Sequence, residues 1–318
     1  MRRLVCALAA VLALAAAPAA RAEPLDFDLT TLGPPDPDVW TTILFRSGTL
    51  ADAATLARES RQRFAILSTE LGLALSSAVL HPASTTGHSG FDVGLEVATV
   101  AVHGSDTIGA APVAGFSNQV WPSGGTAVTQ LFLPSVHFRK ALPFSFEFGG
   151  RMIYLNQSSL FAAQGEAKWA LNEGFDYVPD VAVRAAYTRL FGEKDWNLGT
   201  TDLDLIVSKR WGLYGVTSLT PYFAGRLTFV SASSDRMDFA PPLAAPGDPA
   251  QAVQTQASFP HFSARFYRST LGLRFTAYAV SLALEGTYFG GGSPDKSGYE
   301  GVKIASSLGG AAKLGWEF

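Results

Sequence analysis

The chain has a single cysteine, Cys6, and it lies in an N-terminal stretch built like an export leader. Arg2 and Arg3 open that stretch, residues 4–17 are apolar, and Ala20-Arg21-Ala22 puts small residues around a cleavage point before Glu23. The pattern predicts a secretory signal peptide over residues 1–22. Once it is removed, the mature chain holds no thiol, which excludes disulfides, cysteine metal ligation and cysteine nucleophiles. Long hydrophobic runs are missing too. Beyond the leader nothing approaches the ~18 apolar residues of a helical span. Charge is scarce, at 16% of residues. Arg2, Arg3 and Arg21 leave with the leader, so 24 basic residues fall to 21 against 27 acidic, a net charge of −6. That balance excludes nucleic acid as a partner. His81, His88, His103 and His137 show no metal-ligand spacing, so neither metal nor cofactor is expected.

What is plentiful is Phe, at 22, and Gly, at 31. An exported, apolar, aromatic-rich chain without helical spans suits a membrane barrel made of strands. The clearest stretch is residues 302–318. Phe318, Trp316, Leu314, Ala312, Gly310, Leu308, Ser306, Ile304 and Val302 form one uncharged set. The alternate set carries Glu317, Lys313 and Lys303. A period of two means a strand with a different solvent on each face. This strand, ending on Phe318 with Trp316 two residues before, resembles the C-terminal strand of Gram-negative outer-membrane β-barrels. The resemblance implies that Trp316 and Phe318 are the signal read by the barrel-assembly machinery.

Ten further segments alternate. They lie at about 64–79, 91–97, 129–140, 144–154, 161–171, 181–187, 203–207, 219–229, 271–275 and 280–288. A soluble sandwich also alternates, but the leader, the terminal Phe and aromatics near strand ends (Phe91, Trp121, Trp169, Trp196, Trp211, Tyr288, Trp316) favour a barrel. Barrels of this class have even strand numbers, and 113–121 is the best place for a missed strand. The expectation is an all-β, transmembrane, antiparallel up-and-down β-barrel of about twelve strands over 64–318, with ten to fourteen open. Residues 23–63 precede it. Gly33-Pro34-Pro35-Asp36-Pro37-Asp38 is turn-rich, and Thr49-Leu50-Ala51-Asp52 opens a helix to about Gln62. This segment reads either as a periplasmic arm or as a plug inside the barrel.

Parity sends Asp92, Glu96, Glu147, Arg151, Glu166, Lys168, Arg184, Asp202, Asp204, Arg226, Arg274, Glu285 and Lys303 into the lumen. A near-balanced, wet wall predicts a passive channel for small solutes with weak ion selectivity. The alternative is a non-conducting structural or surface-interaction barrel that uses the loop at 231–260. A hydrophobic-compound transporter or a barrel enzyme is a lesser reading. His81-Pro82-Ala83 resembles the Asn-Pro-Ala of FadL-like transporters, with His in place of Asn. Leu80-His81-Pro82-Ala83 with Gly90-Phe91-Asp92-Val93-Gly94 is also similar to uncharacterised outer-membrane proteins. His261-Phe262-Ser263 resembles the His-x-Ser of outer-membrane phospholipase A. That family needs an orienting Asn as well, and none follows Asn197. Asp202 and Asp204 read as lumen lining rather than an omptin-like protease pair. No enzyme is expected; the expected location is the outer membrane, and the expected partners are outer-membrane lipid, the assembly machinery and small solutes.

Overall fold

The computed structural model describes residues 28–47, 51–76, 78–109, 113, 115–121, 128–213, 215–240, 255–292, 299 and 302–318. The expected leader lies outside them. A 3-10 turn at Leu29–Leu32 leads to helix α1 (Pro37–Ser47) and helix α2 (Ala53–Leu75). Ten long strands follow: β1 (Phe91–Ala101), β2 (Gln130–Leu142), β3 (Phe146–Tyr154), β4 (Phe161–Asn172), β5 (Asp180–Phe191), β6 (Trp196–Ser208), β7 (Thr217–Ser234), β8 (Phe262–Ala277), β9 (Val280–Phe289) and β10 (Ser307–Glu317). Each pairs antiparallel with the next. β10 pairs back onto β1 from Asp92–Glu317 to Val100–Gly309, which closes the barrel. Phe91 and Phe318 exchange both backbone hydrogen bonds, at 2.7 and 3.0 Å, and their rings stack at 5.7 Å. The short strand Trp211–Leu213 lies outside the ring, on β7. Pro134 fits inside β2 because the β2–β3 ladder ends at the Ser135–Ile153 pair.

The two mouths differ. One holds Phe318 and the short connections 143–145, 173–179, 209–213, 215–216 and 278–279. The other holds residues 102–109, 115–121, 128–129, 155–160, 192–195, 235–240, 255–261, 290–292 and 302–306. The outer face is apolar, with Leu271, Leu284, Leu203 and Leu282 exposed along it. Aromatics gather at both rims. Phe146 stacks on Trp169 at 5.5 Å at the terminal mouth, and Phe161 on Phe191 at 5.4 Å at the long-loop mouth. No described helix is long and apolar enough to cross a membrane.

Four expectations are corrected. The strand expected at 64–79 is helix α2 as far as Leu75, and Ala78 and Val79 beyond it have no regular structure. The helix opens three residues later than a capping box begun by Thr49 would have it: Asp52 itself is the N-cap, its carboxylate accepting from Ala54 N at 3.2 Å and Thr55 Oγ1 at 2.5 Å, and the helix runs to Leu75 rather than Gln62. Leu71, Leu73 and Leu75 are two apart, yet Leu67, Leu71 and Leu75 are four apart. The helix is wrapped by the barrel, so no polar face marks the helical period. Gly72 lets it approach the wall: a Cβ there would meet Val230 Cγ1 at 2.7 Å. With that strand removed the ring has ten strands, not twelve, and begins at Phe91 rather than residue 64. Among the described residues, no strand of the ring lies at 113–121. In its described residues this stretch is loop, tied by an isolated bridge between Thr107 and Gln119. The terminal strand starts at Ser307; Val302 and Ile304 are buried rather than facing outward.

Leu284, mid-strand in β9 and 64% exposed on the outer face, tests the facing. Leu284→Arg should lower stability in a bilayer by ~2–4 kcal/mol, and Leu314→Arg, nearer a rim, by less. Chemical unfolding in lipid vesicles checks this. Equal, negligible losses would contradict an outer face turned to lipid.

Candidate functional site: the filled lumen

The lumen has two bands, each set by what the inward positions of the strands carry. Toward the long-loop mouth those positions are apolar: Val100, Leu131, Leu133, Ile153, Leu190, Leu198, Val230, Phe262, Phe266 and Phe289, all buried. α2 fills this collar with Phe64, Leu67, Leu71 and Leu75. Phe64 stacks on Phe259 at 4.3 Å and meets Phe262 edge-on at 6.0 Å. Trp196 and Trp121, expected at the membrane rims, are buried here, Trp196 Nε1 donating to Ser68 Oγ at 3.2 Å. Glu70 is the one charged residue between Phe64 and Leu75. Its carboxylate accepts from Trp121 Nε1 at 2.6 Å and faces His103 Nδ1 at 2.8 Å, which ties the connection after β1 to α2.

Past Leu75 the chain continues through the second band, and its described residues, Ser76 and 78–90, have no regular structure. A strand neighbour would satisfy its backbone, but here wall side chains do so. Glu285 accepts from Val79 N at 3.0 Å and Leu80 N at 2.7 Å. Ala83 N donates to Ser208 Oγ at 3.0 Å, Thr85 N to Glu173 at 2.6 Å, and Thr86 N to Glu147 at 2.9 Å. The carbonyls are served by cations. Arg268 donates to Ser76 O at 3.1 Å, Arg151 to Ala78 O at 3.1 Å, and Lys168 to Pro82 O at 3.3 Å and Ser84 O at 2.9 Å. Ser76 Oγ adds a bond to Asp202 at 2.6 Å. A buried backbone group without a partner costs about as much as a lost hydrogen bond, so this arrangement fixes the segment in place.

The remaining wall charges pair among themselves. Asp92 takes Lys313 at 2.6 Å and Arg139 at 3.2 Å; Glu96 takes Arg151 at 2.7 Å. Glu147 takes Lys168 at 2.6 Å and Arg139 at 3.2 Å. Glu166 accepts from Arg184 Nε at 2.8 Å, and Arg184 reaches Asp204 at 2.7 Å. Asp204 also binds Arg226, and Arg274 binds Glu317. His137 lies between Glu96 and Glu166, 3.0 Å from each. Tyr222 donates to Glu285 at 3.0 Å. A buried charge is tolerated when it is paired and hydrogen-bonded, and the carboxylates of Asp92, Glu96, Glu147, Glu166 and Asp204 each have both.

Twelve of the thirteen residues assigned to the lumen are there: Asp92, Glu96, Glu147, Arg151, Glu166, Lys168, Arg184, Asp202, Asp204, Arg226, Arg274 and Glu285. They are buried rather than solvated. Lys303 is not among them. It sits exposed in the connection before β10, beside a cavity of about 570 Å³ at the long-loop mouth. The alternation had been carried back past the true start of the strand. Sequence parity missed Arg139, His137 and Arg268. Arg268 shares the parity of Arg274 and was within reach of that rule; Pro134 obscured the phase of β2. Within the band, two cavities of about 20 Å³ each flank the α2–segment junction, room for about one water apiece. A concavity of about 790 Å³ lies against the outer face at Trp169, Val183, Leu205 and Tyr267.

Other candidates are placed as follows. His261 Nε2 faces Ser231 Oγ at 2.9 Å, not Ser263, on the exposed long-loop side. Asp202 and Asp204 are bound as given above. Trp316 is half-exposed on the outer face and Phe318 is exposed at the closure. His81-Pro82-Ala83 follows a helix, not the strand expected, and lies inside the lumen with His81 buried 3.9 Å from Glu166. Burial pushes the Tyr299 phenol up; it donates to Pro260 O at 2.6 Å at the long-loop mouth. Among the described residues no group of three or more His, Asp or Glu is placed to hold a metal.

No protein-family model matches the chain, and no curated protein matches it. Among solved structures it is similar to Neisserial surface protein A, at 13% identity over 72% of this chain and 97% of that one, with a TM-score of 0.29. It is similar to the outer membrane protein OprG from Pseudomonas aeruginosa, at 12% identity over 75% and 99%, also at 0.29. It is similar to the outer membrane protease OmpT from Escherichia coli, at 9% identity over 74% and 98%, again at 0.29. Such loose superpositions carry no argument here; the barrel is read from its own strand pairing.

Glu285 is the acceptor for two consecutive amides of the lumen segment. Glu285→Ala should remove ~1–3 kcal/mol of support per orphaned donor and speed hydrogen exchange at Val79 and Leu80 roughly tenfold or more. Glu285→Gln, which keeps one acceptor oxygen, should fall between. Unchanged protection in the alanine variant would contradict the anchoring.

Proposed function

We propose that the protein is an outer-membrane barrel sealed at rest by its own N-terminal segment, acting through its surface rather than as an open pore. The single observation that carries this is the filled lumen: α2 in the apolar collar, residues 76–90 in the charged band, and room for about one water at either flank. A ring of ten strands is little wider than one that side chains alone can fill, so one chain segment suffices to close it. The apolar outer face with aromatic rims supports a place in the outer membrane, with lipid as its surroundings. The Phe91–Phe318 clasp supports Trp316 and Phe318 as the assembly signal. The surface reading rests on the connections at the long-loop mouth. The loop expected at 231–260 starts after Ser234, where β7 ends, and its residues 241–254 lie outside those described.

One observation favours a second reading, a gated passage for small solutes. Residues 78–86 meet the wall through side-chain hydrogen bonds rather than a strand ladder, and behind them stands a wall in which acids and bases nearly balance. Planar-bilayer recording separates the two. The full-length protein should show no conductance steps. A variant lacking residues 28–90 should, if it keeps heat-modifiable migration, show small steps with little ion preference. Steps of the same size from the full-length protein would contradict the sealed barrel.

A further inference from the structure

The direction in which the N-terminal chain crosses the lumen carries a consequence for where its start lies. α2 enters from the long-loop mouth: Arg63, midway along it, donates to Leu32 O at 2.9 Å and Ile108 O at 2.7 Å, and Phe64 packs on Phe259. The chain then runs to the opposite mouth, where Thr85 meets Glu173, Lys140 Nζ donates to Ser89 O at 2.5 Å, and Phe91 opens β1 beside Phe318. It crosses the barrel once before the first strand. Residues 28–47 are therefore at the long-loop mouth, and they are part of a built cap. Trp40 is buried edge-on to Phe116 at 4.8 Å, Ser117 N donates to Thr31 O at 2.8 Å, and Arg61 donates to Pro35 O at 2.9 Å.

In outer-membrane barrels the short turns face the periplasm and the long loops the exterior. Here the short turns lie at the mouth with Phe318. We infer that the barrel carries its own N-terminal segment across the outer membrane and holds residues 28–47 on the cell exterior. This rests on the outer-membrane reading above. The cap is wider than the single chain that the charged band admits. The segment must therefore pass either as an extended chain or before β1 and β10 close around it. The cargo of this passage is the chain itself, and the closed collar then keeps it in place.

The mature chain's lack of cysteine makes the test direct. Asp38, exposed on α1, and Tyr177, 98% exposed on the 173–179 turn, lie at opposite mouths. Asp38→Cys and Tyr177→Cys are each exposed, on intact cells, to a maleimide too large to cross the outer membrane, with heat-modifiable migration as the check on folding. Asp38→Cys should label to the same extent before and after the membrane is permeabilised, and Tyr177→Cys only afterwards. The inverse pattern, labelling of both on intact cells, or labelling of neither until permeabilisation would overturn the inference. Absence of both folded proteins from the outer-membrane fraction would instead overturn the outer-membrane reading, and the inference with it.

Discussion

A backbone that crosses the inside of a barrel must find partners for its amides and carbonyls, because neither lipid nor bulk water reaches them. That constraint organises this molecule. α2 meets it internally, by being a helix, and so can be surrounded by an apolar collar. Residues 76–90 have no such ladder, so the wall beside them is charged. Carboxylates of Glu285, Glu147 and Glu173 take the amides, and Arg268, Arg151 and Lys168 serve the carbonyls. The change from apolar to charged inward positions along the strands falls where the helix ends.

The wall charges cannot be understood one at a time. Lys168 binds Glu147 while donating to Pro82 O and Ser84 O, and Arg151 binds Glu96 while donating to Ala78 O. Removing one member would leave a buried partner uncompensated, which is far more damaging than losing a surface pair. The same network joins the ends of the ring: Lys313 on β10 reaches Asp92 at 2.6 Å and Glu96 at 3.8 Å on β1. Barrel closure and segment capture thus share residues, which suits a segment enclosed as the ring shuts.

Much of the ring was legible because its two faces meet different surroundings. Nine segments with period two show the correct parity in their residues alone, β2 being obscured by Pro134, and twelve lumen residues follow from it. The reading failed where both faces meet protein. Residues 67–75 are buried all round, so leucines at two- and four-residue spacing gave no decision between strand and helix. Trp196 sat near a strand end and looked like a rim residue, yet its parity is inward, where α2 waits for it. Charge at inward positions was legible; whether water or a chain segment faced it was not. Balanced acids and bases suit either a wet wall or a dry paired one, and the alternation continues back past Ser307 to Lys303 with nothing in the residues to stop it.

The central claim is that residues 76–90 lie in the lumen against the charged wall. Ala83 N and Ser208 Oγ are 3.0 Å apart across that contact. The most direct measurement is oxidative cross-linking of the pair Ala83→Cys and Ser208→Cys in the folded protein, read by mass spectrometry of the digested chain. The account predicts a disulfide in nearly all folded molecules, and none when Leu203, on the outer face of the same strand, replaces Ser208 as the partner position. Free thiols at both 83 and 208 in the folded barrel under oxidising conditions would contradict it.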